Sequence, residues 1–235
     1  MEQLNIKEYF KTKKEKLRRV VIEHDYEPPS LTIVDATDGD IGNQIYIKKK
    51  IEDFESIGWP VKVVRPNDRF DLHYLLSYGL DTDCVIVQML TAERFNFDIE
   101  DIPSYFDCDG LTKKALVLGR NNIVGKPMAK ALLDRDMTVS VCHSKTNYGD
   151  KEYLLRNADL VICATGQPLS IYREQCEFAI VVDVGISRLN SKIVGDFVED
   201  ENNIVGEVWS TPVSGGVGLL TRLGLMKNCL DLKVL

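Results

Sequence analysis

The chain has 235 residues, room for two small domains or one large one. Its 44% hydrophobic and 28% charged content is that of a soluble globular protein, while a formal net charge of −7 and a pI near 5.1 argue against bulk binding to nucleic acid or anionic membrane. No apolar run is long enough to span a bilayer, and residues 1–25 are charged, without the apolar core of a signal peptide.

Residues 3–24 read as an amphipathic helix with the stripe Leu4, Ile6, Phe10, Leu17, Val20 and Val21. Its basic run Lys11–Arg19 is broken by Glu15, and in an acidic chain it reads as a solvated face rather than a nucleic-acid contact. Glu27-Pro28-Pro29-Ser30 ends the helix. Leu31–Ala36 is a strand and Asp38–Gly42 a loop. Asn43 is expected to cap a helix that runs to about Ile57 and stops at Gly58. Tyr46 and Lys50, four apart, share one face of that helix, either as an ordinary exposed pair or as part of a site. Val61–Val64 is the next strand, and Asp68 starts a helix that ends at Gly79. The strand Cys84–Gln88 ends on a polar residue after four apolar ones. Gln88 either caps the strand end or faces the crevice where parallel sheets bind ligands. Asp107-Cys108-Asp109-Gly110 is a turn or a site by the same token.

A dinucleotide unit is expected next. The apolar strand Ala115–Leu118 leads into Gly119-Arg120-Asn121-Asn122-Ile123-Val124-Gly125-Lys126-Pro127, and Met128–Arg135 has helical spacing. Glycines let the backbone approach a pyrophosphate, and free N–H groups at the helix start attract the anion. The spacing is G-x5-G rather than G-x-G-x-x-G, so on the glycines alone a bare strand–loop–helix turn stays open. The strand Thr138–Cys142 ends in His143-Ser144-Lys145-Thr146. No acid stands there to hold the 2′-hydroxyl of NAD. Ser144, Lys145 and Arg120 instead suit a 2′-phosphate, which leans the site to NADP, unless both cations are only solvated surface charges.

A helix (Asp150–Asn157), a strand (Leu160–Ala164), Thr165-Gly166-Gln167-Pro168, a short helix from Tyr172 and a strand (Ala179–Val184) with Gly185 follow. Gly195-Asp196 and Gly206 punctuate the next stretch. A second glycine-rich loop, Thr211–Gly218, opens a last helix, Leu219–Leu230. Alternating strands and helices mean an α/β fold with parallel sheets. The expected boundary lies near 110–114, with one domain over 1–112 completed by the C-terminal helix (217–235) and a Rossmann-like domain over 113–216. The six cysteines (Cys84, Cys108, Cys142, Cys163, Cys176, Cys229) lack any C-x-x-C, and several fall in apolar strand patterns. They read as buried free thiols in a reducing cytoplasm, and no metal site is written in the spacing of Cys and His.

Together these motifs resemble the bifunctional methylenetetrahydrofolate dehydrogenase/methenyltetrahydrofolate cyclohydrolase (FolD) family. The matching stretches are Gln44–Lys50, Val87-Gln88, Asp107–Gly110, Gly119–Pro127, Cys142–Thr146, Ala164–Pro168, Val182–Ile186, Val194–Asp196 and Thr211–Gly218, in the family's order from residue 31 onward. The resemblance implies two domains with folate in the cleft between them. It implies oxidation of 5,10-methylenetetrahydrofolate with NADP+ and hydrolysis of the methenyl product to 10-formyltetrahydrofolate. Tyr46 and Lys50 match the family's Tyr-x-x-x-Lys, in which a desolvated lysine carries the proton. Gln88 matches the glutamine that orients that lysine, and Asp109 the aspartate that takes the pterin N–H donors. The family's cofactor positions fall on Gly119, Arg120, Asn121, Ile123, Val124, Gly125, His143, Ser144, Lys145, Thr165, Gly166, Gly185 and Ile186. Its folate loop brings Pro212, Gly215 and Gly216. The resemblance also implies a cytoplasmic homodimer acting on tetrahydrofolate one-carbon derivatives, with no nucleic-acid or membrane partner.

The chain is a shortened member of that pattern. The family carries a long insertion between its Asp-Gly and its Val-Leu-Gly-Arg strand, with a Pro-Cys-Thr-Pro loop by the folate and a helix linking the domains. Here only Leu111-Thr112-Lys113-Lys114 join Gly110 to Ala115. Met89-Leu90-Thr91-Ala92 stands in place of Leu-Pro-Leu-Pro. Asn43 replaces Ser, Asn121 replaces the Ser of Gly-Arg-Ser, and Ser214 replaces a Pro. The lost prolines loosen the unfolded loops and reduce preorganisation. Two further readings therefore stand beside the bifunctional enzyme: a dehydrogenase with little cyclohydrolase activity, and a folate- or nucleotide-binding protein without catalysis.

Overall fold

The computed structural model describes residues 5–37, 41–67, 80–89, 114–122, 124–198 and 208–234. The helix expected from Asp68, together with Cys108, Asp109, Ile123 and Gly206, lies outside them. The chain divides into two compact units, Glu8–Ala92 with Arg222–Leu235, and Met1–Lys7 with Glu93–Thr221.

The first of these units holds a three-stranded parallel sheet of β1 (Leu31–Ala36), β2 (Val61–Val64) and β3 (Cys84–Met89), in the order β2-β1-β3. Residues Leu31 to Asp35 of β1 are all buried, as a central strand covered on both faces requires. The core is made by Leu31 and Ile33 of β1, Val21 of α1 (Ile6–Glu23) and Ile47 and Phe54 of α2 (Ile41–Glu55), with Trp59. Met226, Cys229 and Leu230 of the last helix, α5 (Val217–Val234), complete it. Phe54 meets Trp59 edge to face at 5.7 Å between ring centroids, a favoured aromatic geometry. Helix α2 begins at Ile41, two residues before the expected cap. Asn43 therefore sits in its first turn rather than at its cap.

The second unit is built on a five-stranded parallel sheet of β4 (Lys114–Leu118), β5 (Thr138–Cys142), β6 (Leu160–Cys163), β8 (Ile180–Asp183) and β12 (Trp209–Ser210), in the order β12-β8-β6-β4-β5. Helix α3 (Gly125–Leu133) connects β4 to β5, and α4 (Tyr148–Arg156) connects β5 to β6. The sheet is covered on both faces, as its near-continuous apolar strands require. Leu116, Leu118 and Val181 pack one way with Leu155 of α4. Ala115, Val117 and Val182 pack the other way with Met128 and Leu132 of α3 and with Val217. Two small additions escaped the sequence reading. A parallel pair is formed by β7 (Ile171–Tyr172) and β11 (Phe197–Val198), and an antiparallel hairpin by β9 (Ser187–Leu189) and β10 (Lys192–Val194). They are too short to carry a periodic pattern. The helix expected from Tyr172 is a single 3-10 turn, Arg173–Gln175. The five cysteines among the described residues are free and buried, and no helix among those residues is long and apolar enough to cross a membrane.

Candidate functional site

Each sheet reverses its winding at one strand. In the three-stranded sheet the chain adds β2 on one side of β1 and then crosses to β3 on the other. In the five-stranded sheet it adds β5 on one side of β4 and crosses to β6 on the other. A crevice opens at the carboxyl ends of the strands at such a switch point, and parallel sheets bind ligands there. The candidate residues gather at both places.

At the end of β1, Asp35 stands opposite Gln88 in the strand register. Lys50, on α2, donates to Gln88 Oε1 at 2.5 Å. The Gln88 amide donates in turn to Asn43 Oδ1 at 2.9 Å. This fixes which end of the amide faces the lysine. The Lys50 ammonium lies 4.9 Å from the centroid of the Tyr46 ring, one turn earlier on the helix. Lys50 is only 5% exposed, which matters because burial disfavours its charged form. Burial first, and the charge of Arg222 second, bring its pKa down from 10.5 to about 8. Arg222 is itself buried and paired with Asp53 at 2.5 Å, while Lys14 reaches the same carboxylate at 3.4 Å. Asp35 is buried beside this group. Its burial acts to raise its pKa, but hydrogen bonds from Gln44, Thr37 and Arg65 outweigh it and lower the pKa. Arg222 was missed in the sequence, although a lone arginine inside the apolar run Gly218–Met226 is a signal for a buried, paired charge.

At the end of β4, Gly119 adopts φ +117°, and a Cβ there would lie 2.2 Å from the Ala164 carbonyl oxygen. Gly125 is held as tightly, for its Cβ would lie 2.4 Å from the Gly119 carbonyl oxygen. Only glycine fits either position. The loop is tied by Asn121. Its Nδ2 donates to the Ala164 carbonyl at 2.9 Å, and its Oδ1 accepts from Val124 N at 2.7 Å and Gly125 N at 3.3 Å. Lys126 N donates to the Asn121 carbonyl, and residue 127 is proline. The N–H groups that open α3 are therefore satisfied internally rather than free for an anion, a correction to the expectation drawn from the glycine loop.

The crevice above β4 has a volume of about 490 Å3. Of the expected residues, Gly119, Arg120, Asn121, His143, Ser144 and Thr165 line it. Thr146, Tyr148, Lys151 and Gln167 line it without having been singled out. Lys145 is not among the lining residues. It lies in a tight turn in which Thr146 N donates to the His143 carbonyl and Lys145 N to His143 Nδ1. Val124 and Gly125 are not among the lining residues either. Gly166, at φ +66°, follows Thr165, while Gly185 and the exposed Ile186 sit beyond the end of β8.

A buried acid shapes that edge. Asp196 Oδ2 accepts from Thr165 N, Thr165 Oγ1 and Gly166 N at 2.7, 2.8 and 3.1 Å. Asp183 accepts from Gly185 N, Asp196 N and Phe197 N. Burial raises the pKa of Asp183, more than these backbone bonds lower it. In the second glycine-rich loop Gly215 has φ +87°, and a Cβ on Gly216 would meet the Pro212 carbonyl oxygen at 1.9 Å.

Residues 101–234 match the family model for tetrahydrofolate dehydrogenase/cyclohydrolase, NAD(P)-binding domain. Bifunctional protein FolD of Caldanaerobacter subterraneus subsp. tengcongensis is 30% identical over an alignment covering 93% of this chain and 91% of that protein. The alignment runs over 265 positions, more than the chain's 235 residues, so the relative carries segments that this chain lacks. Bifunctional protein FolD of Clostridium novyi is 47% identical over 54% of this chain, which spans about half (45%) of that protein's length. Among solved structures, the FolD methylenetetrahydrofolate dehydrogenase/cyclohydrolase of Campylobacter jejuni superposes with a TM-score of 0.82 at 27% identity, over 100% of this chain and 99% of that one.

Proposed function

We propose the following function for a chain that belongs to the tetrahydrofolate dehydrogenase/cyclohydrolase family. The protein oxidises 5,10-methylenetetrahydrofolate to 5,10-methenyltetrahydrofolate with NADP+, and hydrolyses the methenyl product to 10-formyltetrahydrofolate. The observation that carries this reading is Lys50: a buried amine with a pKa near 8, oriented by Gln88 and lying by the Tyr46 ring.

Fit to the cofactor rests on the crevice over β4. It is lined by Gly119, a glycine that no Cβ can replace, and by Arg120 and Ser144. When bound, NADP+ supplies the hydride acceptor for the first reaction. No side-chain acid or base is needed there, so the chain's task is to hold two rings in register. Gly119, Arg120, Asn121, His143, Ser144 and Thr165 are the residues we assign to nucleotide binding, with Ile123, Val124, Gly125, Lys145 and Gly166 close to them in sequence and Gly185 and Ile186 after β8. Asp196 supports this assignment from behind by holding Thr165 and Gly166 in place.

In the second reaction water attacks the electron-poor methenyl carbon. Neutral Lys50 takes one proton from that water and passes it to N5 as the C–N5 bond opens, and the remaining hydroxyl proton leaves to solvent as the carbonyl forms, leaving the formyl group on N10. Gln88 keeps the amine aimed, and Asn43 keeps Gln88 from turning over. Tyr46 and the loop residues Pro212, Gly215 and Gly216 are assigned to the folate, and Asp109 to the pterin N–H donors, as the resemblance implies. The protein is proposed to act as a cytoplasmic homodimer, which sedimentation at micromolar concentration tests by giving twice the 26.6 kDa chain mass.

Replacing Lys50 by Met abolishes the hydrolysis and spares the oxidation; undiminished hydrolysis would remove the assignment. The alignment positions that this chain lacks favour one alternative, a dehydrogenase with little cyclohydrolase activity. Methenyl product would then accumulate in the native enzyme.

A further inference from the structure

Lysine 151 breaks a local rule. It lies near the N-terminal end of α4, whose cap is Asn147 and whose first residue is Tyr148. A cation is disfavoured at that end, where the helix dipole is positive. The acids beside it in sequence, Asp150 and Glu152, would normally compensate, but both are engaged elsewhere. Asp150 is bonded to Asn147 through its backbone and its carboxylate. Glu152 takes Gln175, Arg156 and the Tyr148 hydroxyl. Among the described residues the Lys151 ammonium has no hydrogen-bonding or ion-pair partner. It is half-buried, and it lines the crevice over β4. Its charge acts on the thiols of Cys142 and Cys163, the last residues of β5 and β6, and of Cys176, lowering the pKa of each against the burial that raises it. Lys151 thus borders the crevice at the carboxyl ends of the strands, and also a groove that it shares with Glu152 and Glu174. Arg120 shares the crevice and likewise lacks a partner among the described residues. Two uncompensated cations over one cavity, in a chain of net charge −7, are placed for an anion that arrives from outside.

We propose that Lys151 is a specificity-determining residue of the nucleotide crevice, holding the 2′-phosphate of NADP together with Arg120 and Ser144 in the role that the sequence pattern gives to Lys145. The inference rests on the reading of this crevice as the NADP site. Lys145 follows Ser144 in the turn but does not line the cavity, whereas Lys151 approaches from the helix. Charge-assisted bonds to phosphate are the strong ones, so removing one of three donors lowers affinity measurably.

The test is calorimetry on the full chain with two probes, adenosine 2′,5′-bisphosphate and 5′-AMP, which differ only in the 2′-phosphate. The native chain binds the bisphosphate more tightly. Lys151→Met weakens the bisphosphate by about 10-fold to 100-fold and leaves 5′-AMP unchanged. Lys151→Arg, which keeps the charge, retains most of the preference, and Lys145→Met loses less than Lys151→Met. Equal weakening of both probes, no weakening of either, or a larger loss in Lys145→Met overturns the proposal. A native chain that prefers the bisphosphate beside an unaffected Lys151→Met sinks this inference alone. A native chain without that preference sinks the NADP reading and the inference with it.

Discussion

At the scale of single residues, the account turns on one amine whose surroundings work against its charge. Below pH 8 the folded chain holds a buried Lys50 ammonium, a penalty relative to the unfolded chain, where the pKa is near 10.5. Between pH 8 and 10.5 the unfolded state binds the extra proton, so stability from this group rises with pH across that window. Lys50→Met removes the penalty. At pH 7 it should stabilise the fold by roughly 1–3 kcal/mol in denaturant titrations while abolishing hydrolysis, the signature of a residue kept for function. Lower stability together with retained hydrolysis would contradict the role. The rate of hydrolysis should rise with pH through a single ionisation near pH 8. Arg222→Met, which leaves Asp53 with Lys14, removes a positive charge that holds the Lys50 pKa down. That limb should then move to higher pH; an unmoved or downshifted limb would show that Arg222 does not act on the amine. Asn43→Ala should slow hydrolysis by about 10-fold, because the Gln88 amide loses the acceptor that fixes its orientation, and it should spare the oxidation.

At the scale of elements, the strand–loop–helix turn after β4 is fixed by packing rather than by an anion. Gly119→Ala meets the Ala164 carbonyl at 2.2 Å in a left-handed conformation. A loss of about 2–4 kcal/mol of stability is expected, with nucleotide binding reduced further. Thermal melts with and without NADP+ check both, and a melt like that of the native chain would show that the loop gives way. The strands were legible in the sequence: β1, β2 and β5 run over the residues expected of them, β1 because a central strand buried on both faces is a continuous apolar run, and the edge strands β2 and β5 because valine and threonine favour extended backbone. Helix starts were less so. Asn43 looked like a cap but is an acceptor for Gln88, since α2 begins at Ile41. The Asn121 side chain likewise fills the N–H groups that the glycine spacing left open to a phosphate. Short polar side chains serve caps, turns and side-chain bonds alike, and the sequence does not say which.

At the scale of the whole molecule, two parallel sheets each reverse their winding, and each reversal gathers one set of candidate residues. Tyr46, Lys50 and Gln88 were legible because their motif spacing survives. Lys151 was not, because a charge is recognised as uncompensated only once its neighbours are placed, whereas Arg222 carried a signal in its apolar surroundings and only its partner Asp53 needed the fold. The most direct test of the account is a time course with 5,10-methylenetetrahydrofolate and NADP+, following reduced nucleotide and methenyl product as separate signals, in the native chain and in Lys50→Met. The account predicts that reduced nucleotide forms in both, that methenyl product stays low in the native chain, and that it accumulates in Lys50→Met. Absence of reduced nucleotide with the native chain, or a Lys50→Met variant that clears methenyl product at the native rate, would contradict it.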